Sequence, residues 1–234
     1  MKKKLCQRFL VLCSALISIF AYAEGGTQLG STRLIYPQGN SEVSISLANT
    51  SKNARYLIQS WVSDENGKAN SEFIITPPLF VSKPDSENSL RIMNINRGEN
   101  LPNDKESIFY LHSKSIPSLN PSEVQGKNVL QIAFESVIKI FVRPKNLPIT
   151  TMEAYKQISC SLNDSKLVIN NPSPYYITLV NIYVGNRKQS NMMVPPKNNS
   201  SMNVNSKGDI TYQIVNDYGG IEAKKNCVLK YKTK

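Results

Sequence analysis

Residues 129–142 read VLQIAFESVIKIFV, an unbroken strand-like run about twice as long as an average strand of roughly 5 to 6 residues. Side chains alternate across a strand, so Leu130, Ile132 and Phe134 share one face, whereas Val129 and Ala133 lie on the other. One side of this run can enter a core, and the other side needs a separate cover. The run is therefore either a central strand covered on both faces or an edge strand that offers its apolar side to a partner strand.

The remainder of the chain has the pattern of an all-β protein. Turn-forming residues at 65–67 (ENG) and 97–98 (RG) separate the apolar segments at intervals typical of β-sandwiches, and no long helix is predicted. Alternating or β-rich patterns predict strands at 43–47 (VSISL), 56–62 (YLIQSWV), 166–169 (KLVI) and 176–180 (YITLV).

A hinge is predicted directly after the long run. Residues 144–148 (PKNLP) follow that run and precede a new set of strands. The chain is also longer than a typical single domain of roughly 100 to 150 residues. We therefore expect an N-terminal domain at 24–145 and a C-terminal domain at 146–234.

The first 23 residues have the three parts of a secretory signal peptide, namely a basic start, an apolar run at 9–20 and the small-residue site AYA at 21–23. Cleavage is expected after Ala23. No later apolar run approaches the roughly 18 residues of a membrane-spanning helix, so the mature protein is expected to be exported and not inserted in a membrane. The chain as a whole is basic, with a formal charge of +11. Outside the cytoplasm this charge favours protein, lipid or glycan partners, and nucleic acid is not expected.

Two of the four cysteines leave with the signal peptide. Cys160 and Cys227 remain, and in an oxidising compartment their simplest state is one disulfide.

Catalytic chemistry is not indicated. His112 is the one histidine, and no serine has the surroundings of a nucleophile elbow. Metal-binding patterns and a glycine-rich phosphate loop are also lacking in the sequence. We therefore expect neither an enzyme nor a cofactor nor a bound metal.

Five ordered segments carry a resemblance to a known family. The sequence resembles the periplasmic pilus-assembly (fimbrial) chaperones, the PapD-like family, over essentially the whole mature chain. The matching segments are 32–36 (TRLIY), 101–110 (LPNDKESIFY), 128–144 (NVLQIAFESVIKIFVRP), 170–176 (NNPSPYY) and 216–220 (NDYGG).

The resemblance implies a fold of two immunoglobulin-like β-sandwich domains joined at an angle by a short hinge. It further implies that Arg33 and Lys139 anchor the C-terminal carboxylate of a pilus subunit. Leu130, Ile132 and Phe134 fall where the family donates alternating apolar residues to complete the subunit's unfinished sandwich. Lys139 is an odd number of positions beyond Phe134, so strict alternation places them on opposite faces, and a bulge between them would reconcile this.

The same resemblance places Glu106, Arg143 and Asp217 in an ion network between the two domains. His112 and Ser113 depart from the family signature, which usually has Asn followed by an aliphatic residue. The short connection between Pro117 and Asn128 resembles the subfamily with a short loop before the donor strand.

The implied function is a periplasmic chaperone that binds and caps pilus subunits and delivers them to an outer-membrane usher. When free, such a chain could associate with itself to cover its apolar strand. Two alternatives stay open: a pilus subunit or tip adhesin, and a hydrolase built on a β-sandwich around His112.

Overall fold

The computed structural model describes residues 25–119, 125–126, 128–163 and 165–229, and strands dominate these ranges. One short helix is described, α1 (Thr151–Ala154), in which the Thr150 side chain caps the first turn. The predicted signal peptide and its cleavage site lie outside the described residues. In the described ranges, no helix has the length and apolar character needed to cross a membrane.

The N-terminal sandwich pairs a four-stranded sheet, in the order β1-β3-β7-β5, with a five-stranded sheet, in the order β2-β9-β8-β4-β6. Its strands are β1 (Thr27–Leu29), β2 (Arg33–Pro37), β3 (Glu42–Asn49), β4 (Tyr56–Ser63), β5 (Phe73–Thr76), β6 (Leu79–Ser82), β7 (Ser86–Asn94), β8 (Ser107–Pro117) and β9 (Phe134–Arg143).

Alternation accounts for the core of this sandwich. In β3, Glu42 and Ser44 face solvent, whereas Ile45 and Leu47 are buried, as residues 43–47 predict. Strand β4 likewise buries Ile58 and Val62 against the opposite sheet. Ile138, Ile140 and Val142 of β9 complete this core.

The C-terminal sandwich pairs the sheet β15-β11-β10-β18 with the sheet β13-β12-β16-β17, and β14 pairs with β12. The predicted strands at 166–169 and 176–180 fall in β11 and β12. The strands are β10 (Ser159–Asn163), β11 (Lys166–Asn171), β12 (Ile177–Val184), β13 (Arg187–Lys188), β14 (Met192–Val194), β15 (Asn198–Asn203), β16 (Ile210–Val215), β17 (Lys225–Asn226) and β18 (Val228–Leu229).

The expected disulfide is confirmed. Cys160 in β10 is bonded to Cys227, which lies between β17 and β18, and the two Cα atoms are 5.9 Å apart. Strand β18 pairs in parallel with β10 immediately beyond the bridge. The bridge therefore fastens the end of the described chain to the edge of a sheet.

The long run at 129–142 is only partly a strand. Strand β9 begins at Phe134, and residues 128–133 lie outside the ladder. Neither neighbouring strand pairs with them: the last β8–β9 pair joins Ser115 to Phe134, although β8 itself continues to Pro117, and β2 pairs with β9 only from Lys139 onward. The apolar pattern gave the run its strand character, but a ladder also needs a partner, and this part of the run has none within the described chain.

The two sandwiches are in direct contact. The Glu106 backbone N–H donates to Pro174 O, 2.9 Å away, and the Arg33 side chain donates to Val215 O, 3.2 Å away. Gly219 has a φ of +84° and lies against Thr32, where a Cβ atom would collide with the threonine hydroxyl. The loop after β16 is thus seated on the residue that precedes Arg33.

Candidate functional site

Two cations from different strands lie side by side at this junction. Strands β2 and β9 are parallel neighbours, and their register places Arg33 directly beside Lys139. The guanidinium of Arg33 also lies over the ring of Phe141, with 5.9 Å between its carbon and the ring centroid. The fold therefore brings together the two residues for which an anchoring role is expected.

The cations of this pair have no direct ion-pair partner within the described chain, although the Asp217 and Glu106 carboxylates partly offset the burial of Arg33. Arg33 is only 9% exposed, and its Nε atom has no hydrogen-bond partner within the described chain. Neither Arg33 nor Lys139 takes part in an ion pair in these ranges. Burial lowers the pKa of Lys139, and the neighbouring Arg33 charge lowers it further. Burial likewise lowers the pKa of Arg33. An anion placed here would relieve both penalties.

Arg143 has the opposite environment. Its Nε donates to Glu106 at 2.6 Å, and its two terminal nitrogens donate to the Asp217 carboxylate at 2.7 and 2.8 Å. Glu106, 2% exposed, also accepts the backbone N–H of Tyr176 at 2.8 Å. Burial opposes the charge of Arg143, but the hydrogen bonds to both carboxylates outweigh it and raise its pKa. The structure thus brings together the three residues of the expected network, and it adds Tyr176, which sequence reasoning did not identify.

The three donor residues lie outside any core. Leu130 is 84% exposed, Ile132 53% and Phe134 64%. The interpretation of this part of the run as a central strand covered on both faces is therefore wrong. We call residues 128–134 the donor segment; Phe134 pairs with Ser115 of β8, and before it a described hydrogen bond to β8 runs from Gln131 Nε2 to Pro117 O at 2.6 Å.

No bulge separates Lys139 from the donor residues. The β8–β9 ladder runs from Phe134 to Val142 without a register shift, so alternation is preserved. Phe134 continues the face of Ile138 and Ile140, which enter the core, whereas Lys139 shares the opposite face with Val137 and Phe141. The cation pair and the donor residues therefore lie on opposite faces of one strand.

Strand β9 has an open edge between these two features. Because β2 pairs with β9 only from Lys139, residues 134–138 have no hydrogen-bonded strand on that side among the described residues. A shallow groove runs along this edge, and its lining includes Ser31, Thr32, Val137 and Ile138. The backbone groups of this stretch are available to another strand.

His112 belongs to a cluster that sequence reasoning did not find. Its Nε2 lies 2.8 Å from Ser63 Oγ, and its Nδ1 lies 2.6 Å from Glu135 Oε1. The imidazole stacks on Trp61, with ring centroids 4.9 Å apart and an interplanar angle of 8°. A serine, a histidine and an acid are thus in line, but Ser63 is 1% exposed and cannot reach a substrate. The departure of His112 from the family signature was the one sequence signal for this cluster.

An open strand edge beside the junction of two immunoglobulin-like sandwiches is an arrangement suited to binding another polypeptide. Comparison with known families identifies the class. The family described as "Pili and flagellar-assembly chaperone, PapD N-terminal domain" matches residues 26–148, and "Pili assembly chaperone PapD, C-terminal domain" matches residues 153–226. The chain belongs to the PapD-like family of pilus-assembly chaperones, whose members are not enzymes. This membership decides against both the subunit or adhesin alternative and the hydrolase alternative.

Individual relatives agree with this assignment. The probable fimbrial chaperone SfmC of Escherichia coli K12 is 41% identical over 223 residues, covering 94% of this chain and 96% of that protein. The chaperone protein FimC of the same strain is 38% identical over 210 residues, covering 89% and 86%.

Solved structures agree as well. The crystal structure of the periplasmic chaperone SfaE is 38% identical, with a TM-score of 0.76, and covers 87% of this chain and 100% of that one. A chain in the complex of the Salmonella enterica SafA pilin with the SafB chaperone is 27% identical, with a TM-score of 0.79, and covers 89% and 99%. The chain is thus a fimbrial chaperone with two immunoglobulin-like domains.

Proposed function

We propose that this chaperone binds one pilus subunit at a time by lending it a strand, with the subunit's C-terminal carboxylate held between Arg33 and Lys139. The single observation that supports the proposal most strongly is the pair of adjacent cations, without an ion-pair partner in the described chain, at one end of an open strand edge. A chain terminus is the one carboxylate that can end a strand in line with β2. The pairing of SafB with a pilin supports the same class of partner for this chain.

The geometry favours a parallel arrangement. Strand β2 runs parallel to β9 and begins at Arg33. A subunit strand that fills the open edge beside residues 134–138 occupies the line of β2, and its last residue reaches Arg33. It therefore runs in the direction of β2, parallel to the donor strand.

This arrangement also explains the opposite faces of Lys139 and Phe134. A terminal carboxylate belongs to the backbone, so it lies near the plane of the sheet and needs no particular face. The donor side chains can then enter the subunit from one face while the cations approach the terminus from the other. The anchor sets the register, because a slip of one residue would turn Leu130, Ile132 and Phe134 out of the subunit's groove.

Apolar burial and charge recognition act together in this proposal. Each donor side chain covers apolar surface at about 25 cal/mol per Å². Each charge-assisted hydrogen bond at the anchor contributes roughly 1.5 to 3 kcal/mol. No nucleotide is needed, because the subunit exchanges one strand for another.

The remaining assignments belong to the same proposal. The signal peptide is removed after Ala23, and the mature chain acts in the periplasm, where it passes subunits to an outer-membrane usher. The short connection between Pro117 and Asn128 supports membership of the short-loop subfamily, and the proposed hinge separates domains at 24–145 and 146–234. The exposed donor segment of the free chain favours self-association.

Co-purification from the periplasm tests the anchor. We expect Lys139→Ala and Arg33→Ala each to weaken subunit binding by roughly 10- to 150-fold. Lys145→Ala is the matched control, since Lys145 is exposed and lies outside the cation pair. The captured subunit is identified by its mass, and removal of its C-terminal residue should reproduce the loss. Full binding by both anchor variants would refute this proposal.

A second pair of variants tests the donor strand. Ile132 and Ala133 are neighbours on opposite faces of the donor segment. Ile132→Ser should weaken binding because it removes an inserted apolar group, whereas Ala133→Ser should bind normally. Equal effects of the two substitutions would contradict insertion from one face.

A further inference from the structure

The His112 cluster lies where the donor segment leaves the ladder. His112 pairs with Val137 across β8 and β9, so Glu135 is its diagonal neighbour, one residue beyond Phe134. The bond from His112 Nδ1 to Glu135 Oε1 is therefore a side-chain tie between β8 and the first residues of β9.

The imidazole is fixed from two further directions. Trp61 of β4 covers one ring face, and the buried hydroxyl of Ser63, also in β4, meets Nε2. The Ser63 hydroxyl itself donates to the Asp64 carbonyl, 3.1 Å away. Because the ring can neither tilt nor turn without losing these contacts, the position of His112 determines that of the Glu135 carboxylate.

Lys114 provides a comparison within the same strand pair. It lies directly opposite Glu135 in the ladder, and yet Glu135 is paired with His112 and not with Lys114 among the described ion pairs. Coulomb attraction to the cation directly opposite in the ladder thus does not explain the arrangement. The stacked and hydrogen-bonded imidazole is the more ordered partner, so less conformational entropy is lost when Glu135 binds it.

We propose that His112 is a positioning residue for strand donation, which holds the base of the donor segment in strand geometry through Glu135. This inference rests on the proposed function of the donor segment. A donor strand that is already extended at its base loses less entropy when a subunit pairs with it. His112, Glu135 and Trp61 together thus tie β4, β8 and β9 at the last rung before the donor segment.

Amide hydrogen exchange of the free, full mature chain tests the positioning. His112→Ala and Glu135→Ala should each accelerate exchange of residues 134–137 by about threefold, and the double variant should add nothing further. Glu135→Gln, which keeps an acceptor for Nδ1, should restore most of the protection. Lys114→Ala is the matched control and should leave exchange unchanged. Additive effects of the two alanine variants, or an equal effect of Lys114→Ala, would overturn the proposal.

Trp61 supplies a spectroscopic readout, because it is the one tryptophan of the chain. Because Trp61 and Ser63 hold the imidazole, Glu135→Ala and Lys114→Ala should leave Trp61 emission nearly unchanged, whereas His112→Ala, which removes the stacked ring, should change it. A change with Glu135→Ala as large as that with His112→Ala would show that Glu135 positions the imidazole and not the reverse, and the proposal would fail.

The effect on function is measured separately. Dissociation of the co-purified subunit should be about threefold faster from the His112→Ala chaperone. If the wild-type chain bound no subunit, the proposed function would fail, whereas exchange in the free chain would still decide the positioning role. Altered exchange with unchanged dissociation would overturn the link between the cluster and strand donation.

Discussion

Two groups of basic side chains lie at the domain junction, and they differ in what faces them. Arg143 has two carboxylates, which accept three of its N–H groups. Arg33 and Lys139 have no ion-pair partner in the described chain, although Arg33 is buried. Burial alone therefore does not distinguish a structural cation such as Arg143 from the cations that we propose to bind a carboxylate. The number of side-chain N–H groups with a hydrogen-bond partner distinguishes them, because a buried charge without such partners favours binding of a ligand of opposite charge.

Removal of Arg143, the cation with two carboxylate partners, should have the largest effect on stability. Arg143→Ala leaves Glu106 buried without its charged partner and should lower the free energy of unfolding by about 3 kcal/mol. Urea unfolding followed by circular dichroism measures this change. Adding Glu106→Gln to that variant should recover part of the loss, since it removes the stranded charge. A decrease of less than about 1 kcal/mol in the free energy of unfolding would mean that water replaces Arg143 as the partner of Glu106. Arg143 would then differ less from Arg33 and Lys139 than we propose.

Alkaline pH should affect the unsatisfied pair. The lowered pKa of Lys139 means that it loses its proton at a lower pH than an ordinary lysine. Binding of a carboxylate requires the charged form, so subunit affinity should fall, by about tenfold, as pH rises through that lowered pKa. Affinity measured between pH 7 and 10 checks this. The Lys139→Arg chaperone should show a flat profile, and a flat wild-type profile would argue against Lys139 as a ligand.

An acidic residue introduced beside Arg33 and Lys139 should give this pair an internal ion-pair partner, as Arg143 already has. Val137 shares the face of Lys139, two positions away, so Val137→Glu provides a competing carboxylate. Subunit affinity should drop about fivefold, with no loss of stability. Val137→Gln, of similar size but uncharged, is the control. Similar affinities of the two variants would show that charge competition is absent.

The smallest effect concerns the free chain. Burial and the Arg33 charge disfavour charged Lys139 in the folded state, so Lys139→Met should raise the free energy of unfolding by roughly 0.5 to 1 kcal/mol. By linkage, the stability of the wild type should rise with pH from the lowered pKa to the ordinary one, and the Met variant should lack this rise. Thermal unfolding at two pH values measures both. A less stable Met variant would show that Lys139 supports the fold.

The sequence predicted the strands better than their partners. The alternation in residues 43–47 identified β3 correctly, because a strand with one buried and one exposed face has alternating apolar and polar residues. Residues 129–133 have an equally apolar pattern but join no ladder in the described chain, because β8 pairs with β9 only as far as Phe134 and β2 pairs with it only from Lys139. No local pattern contains that information.

In the candidate site, too, the sequence identified individual residues better than their partners. Arg33 and Lys139 are far apart in sequence, and only the family resemblance connected them. Residues 112 and 135 could not be matched from sequence, because their diagonal relation depends on the β8–β9 register. That register depends on how the intervening connection closes.

The close contact between Gly219 and Thr32 is possible because glycine has no Cβ atom. A Cβ atom at position 219 would push the loop after β16 off Thr32, and Arg143 would have to follow Asp217 or release it. A side chain at position 219 would therefore separate the two sandwiches next to Arg33, the first residue of β2. The spacing of the two sandwiches next to the start of β2 thus depends in part on the absence of a side chain at position 219.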